Sequence, residues 1–198
     1  MSYVTILKVS TGEFKDRGSK FFAFLHPIES LDTYKSKLQY YKLLHPKACH
    51  VCSAFRLIIN GELNEYSSDD GEPRGSSGIP ILNSIKRNHI INVGIYVVRY
   101  FGGNKLGIPG LINAYSSSAE DALLNIEKIP WKPSKVVSVE HSYEQVNIID
   151  FLIIKFHGEI INQEFGENIE TKIRLEEGLV SKFQESLVEK SNGKLYIK

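Results

Sequence analysis

Residues 67–80 read SSDDGEPRGSSGIP, and residues 99–110 read RYFGGNKLGIPG. Both stretches are polar and rich in glycine, and each runs into an apolar segment with helical spacing. A glycine loses more backbone freedom on folding than an alanine does, at a cost of roughly 0.5–1 kcal/mol. Two loops of this kind on one chain exceed what tight turns require, so they predict a ligand-binding or partner-binding role.

The composition of the chain is that of a globular protein. It has 198 residues, of which 42% are hydrophobic and 24% charged, with a net charge of +1. This balance gives no bulk attraction to nucleic acid or anionic lipid, so a nucleic-acid contact would need a local basic patch. No apolar run reaches the roughly 18 residues of a membrane span, and the first residues show no signal-peptide pattern. We therefore expect a cytoplasmic protein without membrane contact.

The two cysteines, Cys49 and Cys52, have the C-x-x-C spacing of a redox pair or of half a zinc site. They stand in a β-branched and aromatic run that predicts a strand. In a strand, positions i and i+3 point to opposite faces, which prevents a shared disulfide or a shared metal ion. The sequence therefore predicts two buried structural cysteines.

Local signals predict the secondary structure of the first 130 residues. Apolar residues at helical spacing predict a helix over residues 30–44, with Ser30 as its N-cap. A predicted strand over residues 48–59 meets Asn60-Gly61, which is typical of a tight hairpin, so residues 62–66 should return antiparallel. The remaining predictions are a strand at 21–25, a helix of about ten residues from Ile79, a strand at 90–98 and a helix at 110–127.

Residues 130–133 read PWKP and interrupt these patterns, which indicates a linker. Beyond the linker the order is strand, helix, strand, strand, helix and strand. These segments are predicted at 135–141, 143–156, 159–166, 169–175, 178–190 and 194–197. The order β-α-β-β-α-β is typical of a ferredoxin-like sandwich. We predict an α+β protein with two domains, residues 1–130 and residues 131–198.

The ends of the two glycine-rich loops favour anion binding. A helix N-terminus carries unpaired N–H groups and a partial positive charge, and glycines allow a ligand to come close. The side chains available to an anion are Arg74, Ser76, Ser77, Arg99 and Lys105. Neither loop matches a nucleotide-binding fingerprint. The alternative is that the glycines only allow tight turns, while the cations pair with the acids of the first loop.

Those acids are Asp69, Asp70 and Glu72, and they raise a second alternative. Hard divalent cations prefer carboxylate ligands, so the acids could serve a metal- or phosphate-dependent hydrolase, with His50 as an extra ligand. Acids beside arginines are more often paired or solvated, and their spacing fits no calcium loop. No Ser–His–Asp or Cys–His set is placed for nucleophilic catalysis. The sequence favours a binding protein over an enzyme, with no catalytic residue, metal or cofactor assigned.

Three segments together resemble the signature of the IMPACT/YigZ family. They are HPKACHVCSAFR at residues 45–56, SDDGEPRGSSGIPILN at 68–83 and VRYFGGNKLGIPGL at 98–111. With the basic segment KDRGSKF at 15–21, the match covers most of residues 12–125. The resemblance implies a first domain with the α/β fold of domain 2 of the ribosomal protein S-five type. It implies a ferredoxin-like second domain similar to domains III and V of elongation factor G, as in bacterial members.

The resemblance also implies a function. It is that of a non-enzymatic binding protein in translation or its regulation, with RNA, the ribosome or a translation-related protein as the partner. The residues expected at the binding surface are His50, Asp69, Asp70, Glu72, Arg74, Ser76, Arg99, Tyr100, Phe101, Gly102, Gly103 and Lys105. Pro109 departs from the family pattern LGTGGL, because it replaces a glycine and removes a backbone donor.

Overall fold

The computed structural model describes residues 3–124 and 126–198. The chain divides between Trp131 and Lys132 into two compact units, and each unit has its own hydrophobic core. Both units combine helices with antiparallel strands, which agrees with the predicted α+β class. Within the described ranges, no helix is both long and apolar enough to cross a membrane.

The first unit is built on a five-stranded antiparallel sheet. The strands of the whole unit are β1 (Val4–Thr5), β2 (Ser10–Asp16), β3 (Ser19–Pro27), β4 (His50–Ile59), β5 (Glu62–Ser68), β6 (Val93–Tyr100) and β7 (Ile129–Pro130). Its helices are α1 (Leu31–Leu44), α2 (Gly78–Arg87) and α3 (Gly107–Leu124). The strand order in the sheet is β2-β3-β6-β4-β5, while β1 pairs with β7 outside it.

Helices cover both faces of this sheet. Because successive strand residues point to opposite faces, Phe21 and Leu25 of β3 enter the core beneath α2 and α3. Phe22 and Phe24 pack against a separate core of the same unit, on the face of α1, where Phe24 stacks on Tyr41. The sheet is therefore the middle layer of three, and its residues alternate between two separate cores.

Two local predictions in this unit are confirmed. Ser30 caps α1, because Thr33 N donates a hydrogen bond to Ser30 Oγ at 3.0 Å. Asn60 and Gly61 have φ angles of 52° and 82°, the left-handed conformations that a two-residue hairpin needs. The antiparallel pairing of β4 with β5 follows from that turn.

Among the boundaries that differ from the prediction, those of β6 and α3 bear on the loops. The strand predicted at 90–98 runs from Val93 to Tyr100, because Asn92 has a φ of 57° and cannot continue an extended strand backward. The helix predicted at 110–127 runs from Gly107 to Leu124, and residues 126 and 127 are not helical. Pro109 therefore stands in its first turn, where a missing N–H costs nothing. The prediction for residue 125 lies outside the described residues.

The second unit contains one three-stranded sheet and two helices. Its elements are β8 (Ser134–His141), α4 (Val146–Lys155), β9 (Glu159–Phe165), β10 (Ile169–Glu176) and α5 (Val180–Lys190). The antiparallel sheet has the order β8-β10-β9. The last predicted strand is reduced to one bridge, Ile197 with Val139 on β8. Ser191 Oγ accepts hydrogen bonds from Lys194 N and Leu195 N, and residues 191–193 form a turn just before the predicted strand.

Candidate functional site

Asp69 closes the N-terminal end of α2. Its carboxylate accepts hydrogen bonds from Gly75 N at 2.7 Å, Ser77 N at 3.1 Å, Ser77 Oγ at 2.7 Å and Gly78 N at 2.8 Å. Burial opposes ionisation of this carboxyl, but the hydrogen bonds outweigh it and lower the pKa of Asp69. The prediction of a free anion site at α2 is therefore wrong, because the chain's own carboxylate fills it.

Asp70 makes a separate set of contacts. Its Oδ1 lies 2.5 Å from Lys42 Nζ, and its Oδ2 accepts from Val51 N at 2.7 Å, which ties the loop to α1 and β4. His50 Nδ1 lies 2.8 Å from the carbonyl oxygen of Asp70, and a carbonyl can only accept. His50 therefore donates from Nδ1, and its Nε2 lies 4.0 Å from Glu72 Oε1.

Glu72 is the centre of a buried polar cluster. Its Oε1 lies 2.5 Å from Arg99 Nη1 and accepts from Tyr115 OH at 2.8 Å. Burial raises the pKa of Tyr115, so its hydroxyl stays protonated and donates. The Arg99 guanidinium also contacts the rings of Phe21 and Phe101, at 5.5 and 5.6 Å from their centroids. Arg99 is thus neutralised by Glu72 and is not a free cation.

The three acids of the first loop do not converge. Asp69 binds the start of α2, Asp70 binds Lys42, and Glu72 binds Arg99. Among residues 3–124 and 126–198, no three His, Cys, Asp or Glu side chains are grouped so that they could hold a metal ion. The alternative of a hydrolase has no geometric basis in these acids.

The second loop, residues 101–106, owes its glycines to backbone geometry. A Cβ on Gly102 would lie 1.9 Å from the carbonyl carbon of Gly18, and Gly102 N donates to Ser19 Oγ at 3.1 Å. Gly103 has a φ of 88°, which disfavours other residues. At the strand end before this loop, Tyr100 OH lies 2.8 Å from His45 Nδ1. These residues support the loop conformation, as the tight-turn alternative predicts.

The two loops meet at a recess of about 430 Å³. The first loop contributes Glu72 and Pro73, and the second contributes Phe101, Lys105 and Leu106. The rest of the wall consists of residues at or next to strand ends and of residues from the start of α3. These are Cys49, His50, Arg99, Gly107, Ile108 and Leu111. The two loops therefore converge, and the wall of the recess that they share is mainly apolar.

The remaining predicted site residues differ in their accessibility. Lys105 and Arg74 are exposed, and neither has an acidic partner in the part of the chain that the structure describes. Ser76 is buried, and its hydroxyl donates to the carbonyl of Pro73 at 2.7 Å, so it shapes the loop. Of the three cations predicted at the site, Lys105 and Arg74 are therefore available at the surface, while Arg99 lies inside.

Three residues of this region were not predicted from the sequence. Helical spacing places Tyr115 in an apolar stripe, although the polar tip of a buried tyrosine usually needs a partner, and here that partner is Glu72. Ile108 precedes the predicted start of its helix. No sequence pattern pointed to a role for Lys42 at the site, because its partner Asp70 is 28 residues away.

The cysteine prediction is correct for Cys52 and wrong for Cys49. Cys52 is buried, its Sγ donates to the carbonyl of Asp69 at 3.0 Å, and burial raises the pKa of its thiol to about 12. Cys49 is exposed, because β4 begins one residue later, at His50. The two thiols therefore have different environments.

Two family models match the chain. The Impact N-terminal domain matches residues 17–123, and a domain of unknown function (DUF1949) matches residues 139–194. The first match includes four of the five strands of the main sheet, both loops and the residues that line the recess. The second match includes both helices of the second unit.

Individual proteins match over most of the chain as well. A Haemophilus influenzae protein named IMPACT family member is 32% identical over 90% of this chain and 87% of the relative. A solved structure described as a hypothetical protein has a TM-score of 0.76 and 26% identity, and the match covers 99% of this chain and 96% of that one. Another, described as the two-domain translational regulator Yih1, has a TM-score of 0.40 and 27% identity over 60% of this chain and 47% of that one.

Proposed function

The chain belongs to the IMPACT family, and from this premise we propose that it is a non-enzymatic binding protein that acts in translation or its regulation. Its contact surface is the recess between the two loops, which receives an apolar side chain of a protein partner. The observation that carries the proposal is the accessible apolar wall of the recess, next to loop acids that are all engaged within the protein.

The side chains of the recess suit a protein partner. Phe101 is 47% exposed and Ile108 is 55% exposed, while Leu106 and Leu111 form less accessible parts of the wall. At protein interfaces, a few apolar or aromatic anchors seated in pockets contribute most of the binding energy. Lys105 adds an exposed cation to the wall. An apolar anchor flanked by acidic residues is therefore the partner chemistry that fits.

Phosphate recognition at the recess has less support. Asp69 occupies the N–H groups at the start of α2, and Glu72 neutralises Arg99. Pro109 offers no N–H in the first turn of α3. Lys105 would have to supply most of the attraction, whereas tight phosphate sites combine several donors. The description of Yih1 as a translational regulator belongs to that protein, and the translational role of this chain rests on family membership.

A pull-down from nuclease-treated lysate tests the proposal. The baits are the unaltered protein, Ile108→Glu in the recess, and Ile154→Glu as a matched control, because Ile154 is equally apolar and 76% exposed in the second unit. We expect the unaltered protein and the control to retain the same defined protein. Retention by Ile108→Glu should fall at least about tenfold, because a charge replaces an apolar anchor.

The retained protein is then purified and titrated against the unaltered protein and the two variants, with circular dichroism as the check on folding. A retained protein that disappears after nuclease treatment would contradict the proposal, because its contact would depend on RNA. Equal affinity of Ile108→Glu and the control would contradict the location of the contact in the recess.

A further inference from the structure

Part of the sheet face that carries α1 remains accessible. The helix packs mainly against β4 and β6, so Phe22 and Phe24 of β3 are only half-buried. Together with Tyr100, Phe101 and Lys20 they line a groove of about 520 Å³, which we call the aromatic groove. Its wall is chemically different from that of the recess, and Phe101 is the residue common to both.

The rings of the groove are held in place by neighbouring side chains. Phe22 and Tyr100 meet edge to face with centroids 6.1 Å apart, and Tyr100 OH lies 2.8 Å from His45 Nδ1. His45 also lines the groove, and its buried Nε2 has no hydrogen-bond partner among the residues described. The groove therefore presents a preorganised aromatic surface, and the unpartnered Nε2 of His45 is buried beside it.

Cations gather at one end of the groove. The strand register places Lys20 opposite Lys15 on β2 and beside Tyr100 on β6. Like charges directly opposite each other destabilise a strand pair, so this position favours a bound anion. Lys15 pairs with Glu13 on its own strand. Lys20 and Arg17, which stands in the adjacent turn, are exposed and have no carboxylate partner in the described ranges.

We propose that the aromatic groove binds single-stranded RNA, with bases stacked on Phe22, Tyr100 and Phe101 and phosphates beside Lys20 and Arg17. Aromatic rings bordered by cations bind single strands with little sequence preference, because every base has a π-face and every nucleotide has a phosphate. The groove chemistry favours a single strand over a duplex, whose bases are already stacked. The choice of RNA over DNA rests on the proposed function in translation.

Fluorescence anisotropy with labelled ten-nucleotide oligouridylate tests the inference on the purified full chain. Phe22→Leu keeps the apolar volume and removes the ring, so affinity should fall about tenfold. The matched control is Phe165→Leu in the second unit, where the ring is more exposed than that of Phe22, and it should leave the affinity unchanged. Lys20→Gln should make the negative slope of log affinity against log salt less steep by about 0.7. Lys182→Gln, at an exposed lysine on α5, should leave the slope unchanged.

Several outcomes would overturn the inference. These are the absence of binding at low salt, equal binding of an RNA duplex, an unchanged affinity in Phe22→Leu, or an unchanged salt slope in Lys20→Gln. Equal or tighter binding of oligothymidylate would overturn the assignment to RNA. Ile108→Glu should bind the oligonucleotide like the unaltered protein. Because the titration contains no protein partner, it tests RNA binding at the groove separately from protein binding at the recess.

Discussion

Asp69→Asn is expected to destabilise the first loop and the start of α2. In the folded protein, Oδ1 accepts from Ser77 N, Ser77 Oγ and Gly78 N, and Oδ2 accepts from Gly75 N. Asparagine has nearly the same shape but only one acceptor oxygen and no charge. If that oxygen keeps the Oδ1 contacts, Gly75 N meets an NH₂ group and loses its acceptor.

The magnitude follows from these contacts. A buried donor left without an acceptor costs about 1–3 kcal/mol. Loss of a negative charge at a helix N-terminus costs about 0.3–1 kcal/mol more. We expect the free energy of unfolding to fall by about 2–3 kcal/mol at pH 7. Because folding lowers the pKa of Asp69, its stabilisation is present above the unfolded value of 3.8 and is lost as the pH falls through the lower folded value.

Urea unfolding followed by near-ultraviolet circular dichroism measures this difference, and amide hydrogen exchange of Gly75 and Gly78 locates it. Asp150→Asn is the matched control, because Asp150 is exposed on α4, and its effect should stay within about 0.5 kcal/mol. An equally small effect of Asp69→Asn, or unchanged exchange at Gly75 and Gly78, would refute the view that this carboxylate holds the start of α2.

Two further substitutions test the fold around the site. Burial, with a smaller effect of Lys37, lowers the pKa of His26 from 6.5 to about 4. Between these two values His26 is protonated in the unfolded chain but neutral in the folded protein. Between pH 6.5 and pH 5, the free energy of unfolding should therefore fall by about 1–2 kcal/mol more in the unaltered protein than in His26→Gln. The same shift of the urea midpoint between the two pH values in both proteins would contradict this. Gly102→Ala should cost at least about 1–3 kcal/mol by thermal unfolding because its Cβ would overlap Gly18, while Gly178→Ala, which has open space, should be nearly neutral.

Much of the fold could be predicted from the sequence because its signals are short-range. The cap at Ser30 acts over three residues, and the turn at Asn60-Gly61 requires only that two adjacent residues adopt positive φ. The order of elements beyond the PWKP linker specified the ferredoxin-like unit in the same way. Where the prediction was wrong, as at the start of β6, a single residue in the left-handed conformation outweighed the apolar pattern.

The site was decided by contacts between residues far apart in the chain. Both loops and nearly all the charged residues of the site are recognisable in the sequence, but their partners are not. Glu72 meets Arg99 across 27 residues and Tyr115 across 43, and both contacts depend on strand register and on the position of α3. Asp69 occupies the helix end that the sequence left open to an external anion. Composition determined which charges were present, and only tertiary packing decided which of them were neutralised inside and which stayed exposed, because burial of an unpaired charge is too costly.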